Sequence, residues 1–254
     1  MTLALVFLIG LCFGSFVTMA SHRLPRDLEI VKTRSHCTSC KATLGARDLF
    51  PVLSWVAGGG KCRRCGARVS FRYPLTELVC GTLFAGLYLS YGITIQSGLL
   101  MLFGAALLTM IVADLETGLI PDEIHFFLLP LGIGYHWLLG CDPVDVAFCA
   151  ALSLGLGLLL HYGYFWLKGR HGLGLGDVKF LAVAGIWLAE PLQLPVFLFF
   201  SGALGIASGI FWRLLTRQPR FPFGPALAMS LFALVCYPAI SQWFWNALYA
   251  VLKG

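Results

Sequence analysis

The sequence predicts an all-α polytopic membrane protein of about eight transmembrane helices, with a small cytoplasmic zinc-ribbon-like loop after the first of them. Three observations carry this. Hydrophobic residues fill 58% of the 254 positions and charged ones only 12%, where soluble domains run at roughly 25% charged. Apolar runs long enough to cross a bilayer recur along the chain. Two Cys-x-x-Cys pairs stand in the one long polar stretch.

Taken in order, the apolar runs fall at roughly 2–20, 75–95, 97–113, 123–140, 145–167, 178–190, 192–213 and 225–250. The first, Thr2 to Ala20, has no basic residue ahead of it and leads into an Arg-rich segment, so it reads as a retained helix and not as a cleaved secretory signal. The chain thus divides into a first helix over 1–20, a polar loop over 21–74 and a helical membrane body over 75–254. No internal repeat suggests a solenoid or an inverted-repeat transporter. Gly155, Gly157, Gly202, Gly205 and Gly209 read as small residues that let helices pack closely.

Lys and Arg set the predicted orientation, because cytoplasmic loops are enriched in them. Arg23 through Arg72, then Lys168, Arg170 and Lys179, then Arg213, Arg217 and Arg220 all fall on one side if the N-terminus is outside, and Lys253 falls on the other. This bias accounts for the net charge of +6, so no nucleic-acid partner is called for.

In the polar loop, Cys37 and Cys40 form one Cys-x-x-Cys, and Cys62 and Cys65 form a second at zinc-ribbon spacing. Four thiolates at tetrahedral corners make a structural zinc site with no open position for water, so the metal holds the loop and catalysis lies elsewhere. Gly66 allows the turn after the second pair. Disulfides are disfavoured on a reducing face; redox dithiols and iron are the alternatives. Cys12, Cys80, Cys141, Cys149 and Cys236 are scattered and read as packing residues.

Carboxylates are informative in so apolar a chain, since an unpaired charge near lipid costs several kcal/mol on order-of-magnitude scales. Glu77, Asp114, Glu116, Asp122, Glu123 and Asp177 are the candidates, while Asp142, Asp145 and Glu190 read as solvated loop groups. Asp122 and Glu123 follow Pro121, which places them in the first turn of a helix, where negative charge meets the dipole. Asp114 closes an apolar run at a cytoplasmic helix mouth, and Asp177 comes at similar depth just before the sixth run, after Gly174-Leu175-Gly176. Two such acids held close share one proton, so one can draw a proton from water while the other polarises a carbonyl. Gly174 and Gly176 would let an extended substrate backbone approach the acid. From spacing alone, the alternative that each Asp caps or ends its helix stays open.

Gly14-Ser15-Phe16 with Arg23-Leu24-Pro25, the two Cys pairs, Arg72-Tyr73-Pro74 with Glu77, Asp114 to Ile120-Pro121-Asp122, Gly174 to Lys179, and Phe221-Pro222-Phe223-Gly224-Pro225 resemble, in order, the motifs of bacterial type IV prepilin peptidases over nearly the whole chain. The resemblance implies a bifunctional inner-membrane enzyme. It would cleave the short basic leader of type IV pilins or type II secretion pseudopilins, then N-methylate the new N-terminus with S-adenosylmethionine. It places the catalytic aspartates on Asp114 and Asp177. The sequence departs from the family pattern at Thr18, where Asn is usual, and at Thr38-Ser39, where Pro is common. The competing readings are a cation or proton-coupled transporter using the same two aspartates and a non-enzymatic scaffold with a zinc docking module. A transporter would hold its acids nearer the midplane, at broken helices related by a repeat.

Overall fold

The computed structural model describes residues 1–169, 172–216 and 221–253. Arg170, Arg217 and Arg220 of the charge pattern lie outside the described residues. The chain forms α1 (Thr2–Arg23), α2 (Leu53–Ala57), α3 (Arg72–Tyr91), α4 (Ile95–Thr117), α5 (Asp122–Leu139), α6 (Pro143–Lys168), α7 (Leu175–Leu188), α8 (Gln193–Thr216), α9 (Gly224–Cys236) and α10 (Ala239–Lys253), with short 3₁₀ turns at Leu24–Arg26 and Ala46–Asp48. Each predicted apolar run coincides with a helix, and the last is the pair α9 and α10, bent by 95°. The all-α class is therefore borne out, and the protein is a multi-pass membrane protein.

Among the described residues four helices, α1, α4, α6 and α8, are long and apolar enough to cross a bilayer, and the bent pair adds a fifth if it is one span. The other predicted spans fall short of that test for physical reasons. Polar residues such as Arg72, Thr76, Glu77 and Thr82 dilute α3. Asp122 and Glu123 open α5, and His125 and His136 interrupt it. α7 has 14 residues, about 21 Å of helix against a hydrocarbon core of about 30 Å. Beyond Lys179, α7 is instead apolar on all sides, with Phe180, Ala184 and Trp187 at 0–1% exposure, as expected of a helix enclosed by others.

Contacts divide the chain into two compact units, Met1–Val112 and Ala113–Gly254, with the division inside α4. In the first, α1 and α3 run antiparallel and touch through glycines. A Cβ on Gly10 would lie 2.8 Å from Gly81 Cα, and one on Gly14 would lie 2.5 Å from Glu77 Cα, the small-residue packing that membrane helices favour. Val17, Cys80 and Phe84 close the core with Ala105, Leu108 and Val112 of α4. Thr18 is fully buried and satisfies its hydroxyl on the Gly14 carbonyl at 2.8 Å. Arg23 is buried too, and its guanidinium donates to the carbonyls of Glu29 and Thr33 at 2.8 Å each, which pins the first stretch of the loop to the end of α1.

In the second unit α7 packs against α5, α6, α8 and α9. Trp187 donates from Nε1 to the Leu128 carbonyl at 3.0 Å, and His136 Nε2 donates to the Trp187 carbonyl at 3.1 Å, so α5 and α7 are joined by buried polar bonds. Of the five glycines expected to pack helices, Gly157 meets Leu181 and Val178, Gly205 meets Phe223 and Gly209 meets Phe221, while Gly155 and Gly202 face open space. Cys80, Cys149 and Cys236 are buried as expected, whereas Cys12 and Cys141 are exposed.

Candidate active site

Asp114 lies in the last turn of α4, which continues to Thr117 beyond the predicted end of the run. It is buried, at 6% exposure. Its Oδ2 accepts a 2.8 Å hydrogen bond from the Gly224 amide at the start of α9, so the positive end of a helix dipole faces the carboxylate. A Cβ on Gly224 would lie 2.6 Å from that oxygen, so only glycine lets the backbone come this close. The approach is set from α8. Phe223 fills the space left by Gly205, where a Cβ would be 2.5 Å from the ring, and Phe221 lies against Gly209, where a Cβ would be 3.3 Å from the ring. The Phe-Pro-Phe-Gly-Pro segment thus plugs its aromatics into a glycine groove and presents its amide to the acid.

Asp177 lies inside the first turn of α7 and not ahead of it, since the helix begins at Leu175. Asp114 is near enough for its charge to act on Asp177. Gly174 is exposed beside Asp177, and a Cβ there would stand 3.0 Å from Asp177 Oδ2. Gly176 turns toward Ile120, which a Cβ would meet at 3.4 Å. The segment entering α7 is tethered to α6, where the buried His161 Nδ1 donates to the Leu173 carbonyl at 2.6 Å.

Asp122 and Glu123 occupy the first turn of α5, as expected. Asp122 has a further partner: Lys179 Nζ lies 2.8 Å from both of its carboxylate oxygens. Lys179 is two positions after Asp177, so this bridge ties the first turn of α5 to the turn that carries the acid. His125 lies buried beside it, with Nδ1 3.7 Å from Asp122 Oδ1. In the sequence Lys179 stands in the charge bias and in the Gly174 to Lys179 motif, and Gly224 in the Phe221 to Pro225 motif, neither with a partner assigned. Neither contact has a local signal, since residues two apart on a helix do not share a face and Gly224 is marked only as a glycine after two aromatics.

The cysteines of the loop converge as expected. The Sγ atoms of Cys37, Cys40, Cys62 and Cys65 all lie within 4.8 Å of one another, with Cys37 and Cys65 at 3.9 Å. A tetrahedral zinc–thiolate centre with bonds near 2.3 Å has sulfur–sulfur edges of about 3.8 Å, so the donor set fits a tetrahedral metal ion. The two knuckles repeat one backbone pattern. Cys37 N–H donates to Ala42 O and Cys62 N–H to Ala67 O, at 2.9 and 2.8 Å, and single antiparallel bridges, His36 to Thr43 and Lys61 to Arg68, close each. The residue after the second cysteine has positive φ in both, 72° at Gly66 and 59° at Lys41. Amides of Cys40 and Ser39 draw the Cys37 thiol down to about 6, and those of Cys65 and Arg64 lower Cys62. Cys65 is opposed by the Ala67 amide but pushed up to about 11 by its sharing of hydrogen bonds with the other thiols.

Comparison with known proteins identifies the family. Residues 8–91 match the bacterial peptidase A24 N-terminal domain and residues 101–210 the type IV leader peptidase family. The chain is 36% identical over 230 residues to the prepilin leader peptidase/N-methyltransferase of Bacillus subtilis (strain 168), covering 89% of this chain and 90% of that one. It is 32% identical over 280 residues to the protein so named from Aeromonas salmonicida (strain A449), covering 96% and 94%. With that of Burkholderia pseudomallei (strain K96243) it shares 33% over 293 residues, covering 100% and 89%. No solved structure matches. With both halves of the chain matched in order and the likeness running nearly end to end, this chain belongs to the type IV leader peptidase family.

Proposed function

We propose that this protein is a membrane aspartyl endopeptidase that cleaves the leader from type IV prepilins or type II secretion pseudopilins and then methylates the new N-terminus. Its catalytic residues are Asp114 and Asp177. The observation that carries this is the pairing of two carboxylates from separate helices, one buried and docked on a helix N-terminus, in a member of a leader peptidase family. Carboxylates whose charges act on one another titrate as a pair. With one proton between them, the ionised member takes a proton from water while the protonated one hydrogen-bonds the scissile carbonyl, and the proton then passes to the leaving amine. Gly174 leaves Asp177 open to an extended backbone.

Cys37, Cys40, Cys62 and Cys65 hold a structural zinc ion, which supplies folding energy to a loop with little core of its own. S-adenosylmethionine supplies the methyl group as co-substrate. The protein sits in the bacterial inner membrane, N-terminus outside, with the acids and the zinc loop at the cytoplasmic face, as the Lys and Arg distribution favours. The first helix, the loop over 21–74 and the body over 75–254 act as anchor, metal module and peptidase.

The test is to incubate the purified protein with a synthetic pilin N-terminus and to weigh the products with and without S-adenosylmethionine. Cleavage is expected from the native protein and none from Asp114→Asn or Asp177→Ala, both inserted normally. A transporter or scaffold would cleave nothing in any form, and full cleavage by Asp177→Ala would sink the mechanism.

A further inference from the structure

We propose that the zinc loop is a membrane foot: the face of α2 bearing Leu53 and Val56, with Leu49, Phe50 and Phe71, rests in an anionic bilayer surface. The first observation is exposure. Leu49, Phe50, Leu53, Val56 and Phe71 are 46%, 59%, 67%, 64% and 59% exposed, a dense group of large apolar side chains in a segment otherwise rich in charge. Leu53 and Val56 are three apart and share one helix face. Trp55 donates from Nε1 to Val69 O at 3.0 Å and stacks edge-on against Phe71 at 5.7 Å, which brings that exposed ring beside α2.

The second observation is depth. α2 is not held away from the membrane: the Val52 amide, just before it, donates to Glu77 Oε2 at 2.7 Å. Glu77 lies within α3 and touches α1 at Gly14, nine residues before Arg23 and so roughly two and a half turns back along a helix that crosses the bilayer. The contact is costly in backbone terms, because Val52 is held at φ 59°, ψ −51°. A β-branched residue there carries about 1–3 kcal/mol of strain and persists only where the surroundings impose it. The imposed result is an apolar helix face at the level of the membrane boundary.

The third observation is charge, and it selects the kind of surface. Between Ser21 and Pro74 the chain has eleven Lys and Arg against three Asp and Glu. Arg47 stands in the 3₁₀ turn packed on α2, and Lys61 follows α2 after Gly58, Gly59 and Gly60. An apolar face rimmed by cations binds the headgroup boundary of anionic lipid, where each basic side chain near the surface adds about 1 kcal/mol.

The experiment uses the full-length protein in nanodiscs of phosphatidylcholine alone or with about 30% phosphatidylglycerol. Amide exchange over residues 49–57 should be about tenfold slower in the anionic discs, as expected when a locally opening segment gains a bound partner. A benzophenone amino acid at position 53 or 56 should yield adducts of phospholipid mass. The double variant Leu53→Asp, Val56→Asp should lose the lipid-dependent protection while the rest of the protein exchanges as before. Equal exchange in the two discs overturns the proposal, as do adducts to protein in place of lipid or undiminished protection in the double variant.

Discussion

Replacing Gly224 by Ala adds one methyl group directly against the buried acid. The new Cβ would lie 2.6 Å from Asp114 Oδ2 and 3.1 Å from Cγ. Ordinary contact begins near 3.4 Å, so the carboxylate and the start of α9 must part by about 0.8 Å. Neither is free to do so cheaply, because Phe223 and Phe221 are seated against Gly205 and Gly209 of α8. The displacement also stretches the 2.8 Å amide bond, and a hydrogen bond to a charged group is worth about 1.5–3 kcal/mol. A misplacement near an ångström costs on the order of a hundredfold in rate. Gly224→Ala should therefore lower kcat for cleavage of a pilin N-terminal peptide by about a hundredfold, with KM nearly unchanged and the purified protein still folded. An unimpaired kcat in this variant would refute the idea that the Gly224 amide holds Asp114 in place.

Four further outcomes rest on the same structure. Asp122→Ala and Lys179→Met should each reduce kcat only a few fold, because both side chains of the bridge are about half exposed and such pairs are worth about 0–1 kcal/mol; the exchanged pair Asp122→Lys with Lys179→Asp should recover part of the loss, and a complete loss in Asp122→Ala at normal membrane levels would mean that Asp122 is a catalytic acid. Metal analysis should find about one zinc per chain, absent in Cys62→Ser, which should still cleave measurably per folded molecule. The thiolate of Cys37, drawn from 9.0 to about 6, contributes fully above pH 9 and loses its contribution as pH falls toward 6, so zinc should be released on acidification and not on raising the pH. Lys41→Gly should strengthen zinc retention against a chelator by about two- to fivefold by relieving a positive φ, and Gly66→Lys should weaken it, since the left-handed conformation costs a non-glycine residue about 1 kcal/mol.

The helices were legible because apolar runs announce themselves, and the four-cysteine cluster because its spacing admits few other uses. Asp114 and Asp177 stood out since carboxylates are scarce in such a chain. What the pattern of residues did not reveal was contact across long separations. Gly224 meets Asp114 from 110 positions away, and Lys179 meets Asp122 from 57; neither pairing leaves a local periodicity. Composition alone also does not separate burial among helices from burial in lipid, as α7 shows, packed against α5, α6, α8 and α9. Lys41 shows the converse: its side chain gives no hint of a left-handed backbone, and only the parallel with Gly66 makes the position intelligible.

The seating of Phe223 in the groove at Gly205 has a consequence for genetics. Gly205 lies far in sequence from either acid, yet a bulkier residue there would unseat the aromatic and carry the Gly224 amide off Asp114. A selection for loss of pilin processing would return such alleles among those of the acids themselves. Their suppressors would map to position 223, as smaller side chains that refit the groove, and not to Asp114 or Asp177. Allele-specific suppression between α8 and the start of α9 would thus trace the support of the active site without any change to a reacting group.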